Sequence, residues 1–189
     1  MKKSIKATTA LAPVPVVMVS CGDGKESNII TLAWVGTVNS EPPILSISVR
    51  YGRHSYPIIK ERGEFTVNLV SRDLVESTDI CGVISGKDED KFDFCHFTKG
   101  EGVAVRAPYI EECPVALECK VVKQVDFGTH AVFFGEILNV IADEQYVNEH
   151  GTLSLPEGLL AAYSGGKYVT TGEALGSYGF TAKKIRSKK

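Results

Sequence analysis

Residues 115–125 and 130–141 are the two longest runs of β-forming residues, and only Asp126, Phe127, Gly128 and Thr129 join them. So short a connection holds the runs antiparallel, which predicts a long hairpin at the centre of a β core. Shorter strand signals precede it. Residues 14–20 are apolar and end in a turn cluster at Cys21, Gly22, Asp23 and Gly24, after which 28–38 is again β-prone, a second hairpin. Pro42 and Pro43 break the chain before residues 44–49, where Leu45, Ile47 and Val49 alternate with Ile44, Ser46 and Ser48. At the strand period this makes one face apolar and the other largely hydroxylated. Ser55 is placed to cap a helix that Gly63 ends, residues 64–69 alternate as a strand, and Asp73 or Ser71 caps a helix towards Ile80. Residues 82–92 then read as a charged, glycine-containing loop. Many strands, short helices and no βαβ alternation predict a barrel with peripheral helices rather than a doubly wound sheet.

The 189 residues suffice for one domain, 1–189, with its own core, and no repeat or linker divides them. Lys and Arg number 21 against 23 Asp and Glu, a net charge of −2, so neither nucleic acid nor an anionic membrane is expected as a partner. The basic run at 183–189 reads as a frayed terminus without a role. Pro13 and Pro15 interrupt the start of the chain, so no secretion signal is expected, and no apolar stretch is long enough to span a membrane. The five cysteines show neither a CxxC motif nor zinc-ligand spacing and are odd in number. They read as reduced thiols in a cytoplasmic protein, with no redox pair among them.

Four segments carry chemistry. In the first, Asn28, Thr31 and the only tryptophan, Trp34, put an amide, a hydroxyl and a large ring on one strand. That set suits a planar, hydrogen-bonding ligand, although a core tryptophan after a turn is the competing reading. In the second, Ser48, Arg50, Arg53, His54 and Ser55 surround a helix start, where unpaired N–H groups and forked guanidinium donors make a phosphate cradle. A capped helix with solvated arginines explains the segment equally well. In the third, Ser85, Gly86 and Lys87 lack the full phosphate-loop pattern, so a nucleoside triphosphate site is rejected. Lys91, between Asp90 and Phe92, reads instead as an anchored cation for a ring or a phosphate, against the alternative of a surface charge run. In the fourth, His130 opens a strand at the rim of an apolar pocket and Tyr163 stands before a glycine turn; both also fit purely structural roles. His54, His96 and His150 show no ligand spacing with His130, so no metal is expected.

Taken together these motifs resemble the flavin reductase-like FMN-binding split-barrel family, most closely its flavoredoxin branch. The likeness runs through residues 13–16, 28–34 and 41–45, then Arg53, His54 and Ser55, the 82–92 segment, His130, and Tyr163 with Gly165 and Gly166. It implies a mainly β fold, a six-stranded Greek-key split barrel with short peripheral helices, and a homodimer holding FMN near the subunit interface. It puts Asn28 and Trp34 beside the flavin and the backbone of Thr31, Leu32 and Ala33 at its polar edge. Ser48, Val49, Arg50, His54 and Ser55 fall near the ribityl phosphate. Lys91 and His130 become polar contacts, and Tyr163 replaces a Phe. The implied activity is electron transfer, or NAD(P)H-dependent reduction of flavin or ferric iron, with NAD(P)H or a redox protein as donor and FMN as the only redox centre. A non-catalytic module that stores or senses FMN is the alternative, and no dinucleotide fingerprint is present.

Overall fold

The computed structural model describes residues 1–182, so the basic run at 183–189 lies outside the described residues. Its strands in chain order are β1 (Val14–Pro15), β2 (Val17–Cys21), β3 (Asn28–Leu32), β4 (Val35–Ser40), β5 (Pro43–Arg50) and β6 (Glu64–Leu69). There follow β7 (Lys99–Gly100), β8 (Tyr109–Ile110), β9 (Val115–Asp126), β10 (His130–Ala142), β11 (Ala161–Ser164) and β12 (Lys167–Thr170). The expected long hairpin is β9–β10, antiparallel from the Ala131–Asp126 pair to the Ala142–Val115 pair, with irregularities after Phe134 and Ile137.

The main sheet has seven antiparallel strands in the order β3-β2-β6-β9-β10-β5-β4. β3 and β4 are its opposite edges, yet only Ala33 and Trp34 separate them in the chain. The sheet therefore curls until its edges meet, and residues 28–40 close it as one bent strand. The closed sheet is split at Ala33 and Trp34. β6, β9 and β10 are successive neighbours while β5, which precedes them, lies beside β10, a Greek-key arrangement. Small sheets of β1-β11-β12 and β7-β8 flank the barrel.

Strand alternation sorts the apolar residues into two cores. Inside the barrel, Val17, Val19, Leu45, Ile47, Phe65 and Phe133 pack together. Outside it, Met18 and Ile29 turn the other way and pack with Cys81, Phe92, Phe97 and Ile110. β2, buried on both faces, belongs to both cores, and Val17, Met18 and Val19 are successive apolar residues for that reason.

The helices are α1 (Ser55–Arg62), α2 (Val75–Val83) and α3 (Lys91–Phe94). Gly63 stops α1 as expected, in the left-handed region at φ 67° with its N–H donating to the Ile59 carbonyl at 2.9 Å. The expected cap at Ser55 is corrected. Ser55 is the first residue of the helix, and its hydroxyl accepts from the Asn28 amide at 2.7 Å instead of capping. α2 runs past Ile80, and Asp90 starts α3 by accepting from the N–H groups of Phe92 and Asp93. The expected loop at 82–92 thus shrinks to the residues between two helices.

Candidate functional site

The bend in the closing strand creates the site. β3 pairs with β2 as far as Leu32, and β4 resumes pairing with β5 at Val35, so Ala33 belongs to neither ladder. A backbone amide without a sheet partner needs another one, which a ligand's polar edge can supply. Beside this break lies a depression of about 160 Å³ lined by Thr31, Leu32, Ala33, Trp34, Ser48, Arg50, Arg53 and His130. A second depression of about 130 Å³ adjoins it, sharing Ile30 and Arg53 and adding Asn28, His54, Ser55, Gly82, Ser85, Gly86 and Lys91. Arg50, Arg53 and Lys91 put three cations on the lining, and no carboxylate is among the described residues that line it.

Trp34 does not fill the core: 47% of its surface is exposed, and its ring lies 4.8 Å from that of His130. His130 faces Arg50 across the β10–β5 pair. Burial, and then the Arg50 charge, pull the His130 pKa below its ordinary value, which keeps the ring neutral at neutral pH. Ser48 and Arg50 reach the groove because they alternate with Leu45, Ile47 and Val49, which point into the barrel. Val49 is therefore a core residue, and only its backbone is available to a ligand.

Lys91 is no surface charge. It is 4% exposed, and its Nζ donates to the Ile29 and Cys81 carbonyls at 2.8 and 2.7 Å. Burial pulls its pKa below the usual lysine range. The expected flank by Asp90 is corrected, because that carboxylate caps α3 and faces the Lys99 ammonium at 3.7 Å. Two carbonyls, and not a carboxylate, hold the cation.

Tyr163 lines neither depression. It sits in the β1-β11-β12 sheet with its ring edge-on to Tyr168 at 5.6 Å. Two other groups escaped the sequence reading. A Cβ on Gly86 would lie 2.1 Å from Asn28 Oδ1 and 2.8 Å from His54 Cδ2, so only glycine lets the 84–90 segment approach the groove. The signal for it was the Ser85-Gly86-Lys87 triplet, rejected for a different ligand. The five thiols are free, as expected, but two of them are neighbours that the sequence did not reveal: Cys81 and Cys95 stand with their sulfurs 3.8 Å apart behind the groove. Fourteen residues separate them, so no spacing rule finds them.

The profile of the flavin reductase like domain matches residues 9–172. The chain belongs to the flavin reductase-like family. Flavoredoxin of Desulfovibrio vulgaris (Miyazaki F) is 34% identical, with a TM-score of 0.87 covering 97% of this chain and 100% of that one. Flavoredoxin from Methanosarcina acetivorans is 32% identical, with a TM-score of 0.84 and the same coverage of both chains. A protein of Archaeoglobus fulgidus is 35% identical over 130 residues, 69% of this chain and 73% of its own length. Within the flavin reductase-like family, the split barrel is the fold of this chain, and flavin-related electron transfer or reduction is the functional class it shares.

Proposed function

We propose that the groove binds FMN non-covalently and that the protein is a flavoredoxin-like electron carrier or reductase, taking electrons from NAD(P)H or a redox protein. The observation that carries this reading is the lining itself: three cations, hydroxyls at Ser48, Ser55 and Ser85, an exposed indole and no carboxylate among the described residues. A phosphate monoester and a planar heterocycle are the ligand chemistry that such a lining complements. Either depression alone is too small for FMN, whereas the two together make a groove that runs from Trp34 to Lys91.

FMN supplies, when bound, a centre that accepts and returns one or two electrons. The chain's part is to bind and orient it. Arg50 and Arg53 offer forked donors to the phosphate, with Ser48 and Ser55 beside them. The Ala33 amide serves the ring's polar edge, Lys91 adds a buried positive charge and Trp34 screens the ring from water. We further propose that the whole chain works as one unit, as a homodimer whose second subunit covers the exposed Trp34. The five free thiols fit a reducing, cytoplasmic setting.

Anaerobic titration of the yellow protein with NADH, NADPH and reduced ferredoxin tests the proposal. Bleaching by one of them, with recovery on adding an acceptor, is expected. Protein that purifies with FMN but is bleached by none of them supports a storage or sensing module instead.

A further inference from the structure

Cys81 lies in the last turns of α2 and Cys95 directly follows α3. Their sulfurs are 3.8 Å apart, and the bonded distance is about 2.05 Å, so a small side-chain movement joins them. Two differences between them set an order of events. Cys81 is buried and Cys95 half-buried, so a reagent from solvent meets Cys95 first. Burial pushes the Cys81 thiol up to about 12 and raises that of Cys95, while the nearby Lys91 ammonium favours the thiolate of both. Lys91 also ties the pair to the groove, because its Nζ donates to the Cys81 carbonyl and it is itself the first residue of α3. The segment between the two cysteines contributes Ile84, Ser85 and Gly86 to the lining.

We propose that Cys81 and Cys95 form a reversible disulfide that latches α2 to α3 and holds the groove wall closed on its ligand, a proposal that rests on the reading of the groove as a flavin site. The oxidant is a small organic disulfide. The Cys95 thiolate attacks one of its sulfurs, forming a mixed disulfide and expelling one thiolate, which takes up a proton. Cys81, losing its proton to solvent, attacks the Cys95 sulfur and expels the second small thiolate. Two protein thiols are oxidised to one disulfide and one small disulfide is reduced to two thiols, so the step balances without the flavin. Closure spans the segment 82–94 and acts in parallel with the Lys91 hydrogen bond, restricting the segment that must open for the ligand to leave.

The test treats holoprotein and apoprotein with oxidised glutathione, alkylates the remaining thiols and maps the peptides, then compares FMN release before and after oxidation. The expected results are a Cys81–Cys95 crosslink that dithiothreitol reverses and several-fold slower FMN release from the crosslinked protein. Cys95→Ser and Cys95→Ala, at a half-buried position, should form no crosslink and show no change in release. Absence of the crosslink in both forms, or a crosslink of Cys81 to another cysteine in its place, overturns the proposal. A crosslink that leaves release unchanged or faster overturns the latch. Protein that takes up no FMN counts against the proposed function, and mapping of the apoprotein still decides the thiol pair.

Discussion

Lys91 has three N–H donors and commits two to the Ile29 and Cys81 carbonyls, which leaves one for a ligand. Lys91→Met keeps most of the stem and removes all three donors. FMN affinity should fall by about tenfold or more, the equivalent of one charge-assisted contact of about 1.5–3 kcal/mol, in a fluorescence titration. A folded variant with undiminished affinity would leave Lys91 the task of holding α3 alone. Gly86→Ala meets an Asn28 amide already tied to Ser55 at 2.7 Å, so the clash has no easy relief. Its overpacking should cost about 1–3 kcal/mol in thermal stability and lower the flavin-to-protein absorbance ratio. At His130 the folded pKa lies below the ordinary value, so the unfolded chain binds more protons in the window between the two. Stability from this group is therefore present above the ordinary value and is lost as the pH falls through the folded one. His130→Gln should flatten that part of a plot of melting temperature against pH, and an unchanged plot would exclude the ring as its source.

At the scale of elements, Glu118 shows how one strand governs a distant segment. Fully buried on β9, it accepts from the Ala104 and Val105 N–H groups at 3.0 and 3.2 Å, and from the Asn139 amide on β10 at 2.6 Å. Glu118→Ala strands those donors, and urea unfolding should show a loss of about 3 kcal/mol, since each unpaired buried group costs about 1–3 kcal/mol. The elements themselves were largely legible. β9, β10 and β5 announce themselves through alternation, and α1 stops at Gly63, because such signals live in neighbouring residues. The cap at Ser55 was misread because its hydroxyl has two candidate partners, and the Asn28 amide across 27 residues wins over the local backbone. Glu118 was equally hidden, since in sequence it is only the polar member of an alternating pair.

For the whole molecule, Trp34 at the split, Val38 on β4, and Leu138 and Val140 on β10 remain exposed. So many exposed apolar groups suit a subunit interface, and one that reached Trp34 would also exclude water from the flavin. The holoprotein should sediment as a dimer at micromolar concentration, and a monomer would contradict the proposed assembly.

Alternation along strands, a four-residue hairpin link and turn-forming residues are local properties, so the sequence by itself determined a mainly β barrel with short helices. It also determined that Ser48 and Arg50 share a strand face, since parity alone settles that. Only the tertiary structure decided which groups meet in the groove. Lys91 finds the Ile29 carbonyl across 62 residues, Gly86 makes room beside Asn28, Tyr163 is drawn into a separate sheet, and Cys81 comes against Cys95. Those meetings follow from closing the sheet at Ala33 and Trp34 and packing α2 and α3 on its outside, and contacts between residues distant in the chain leave no periodic trace in it.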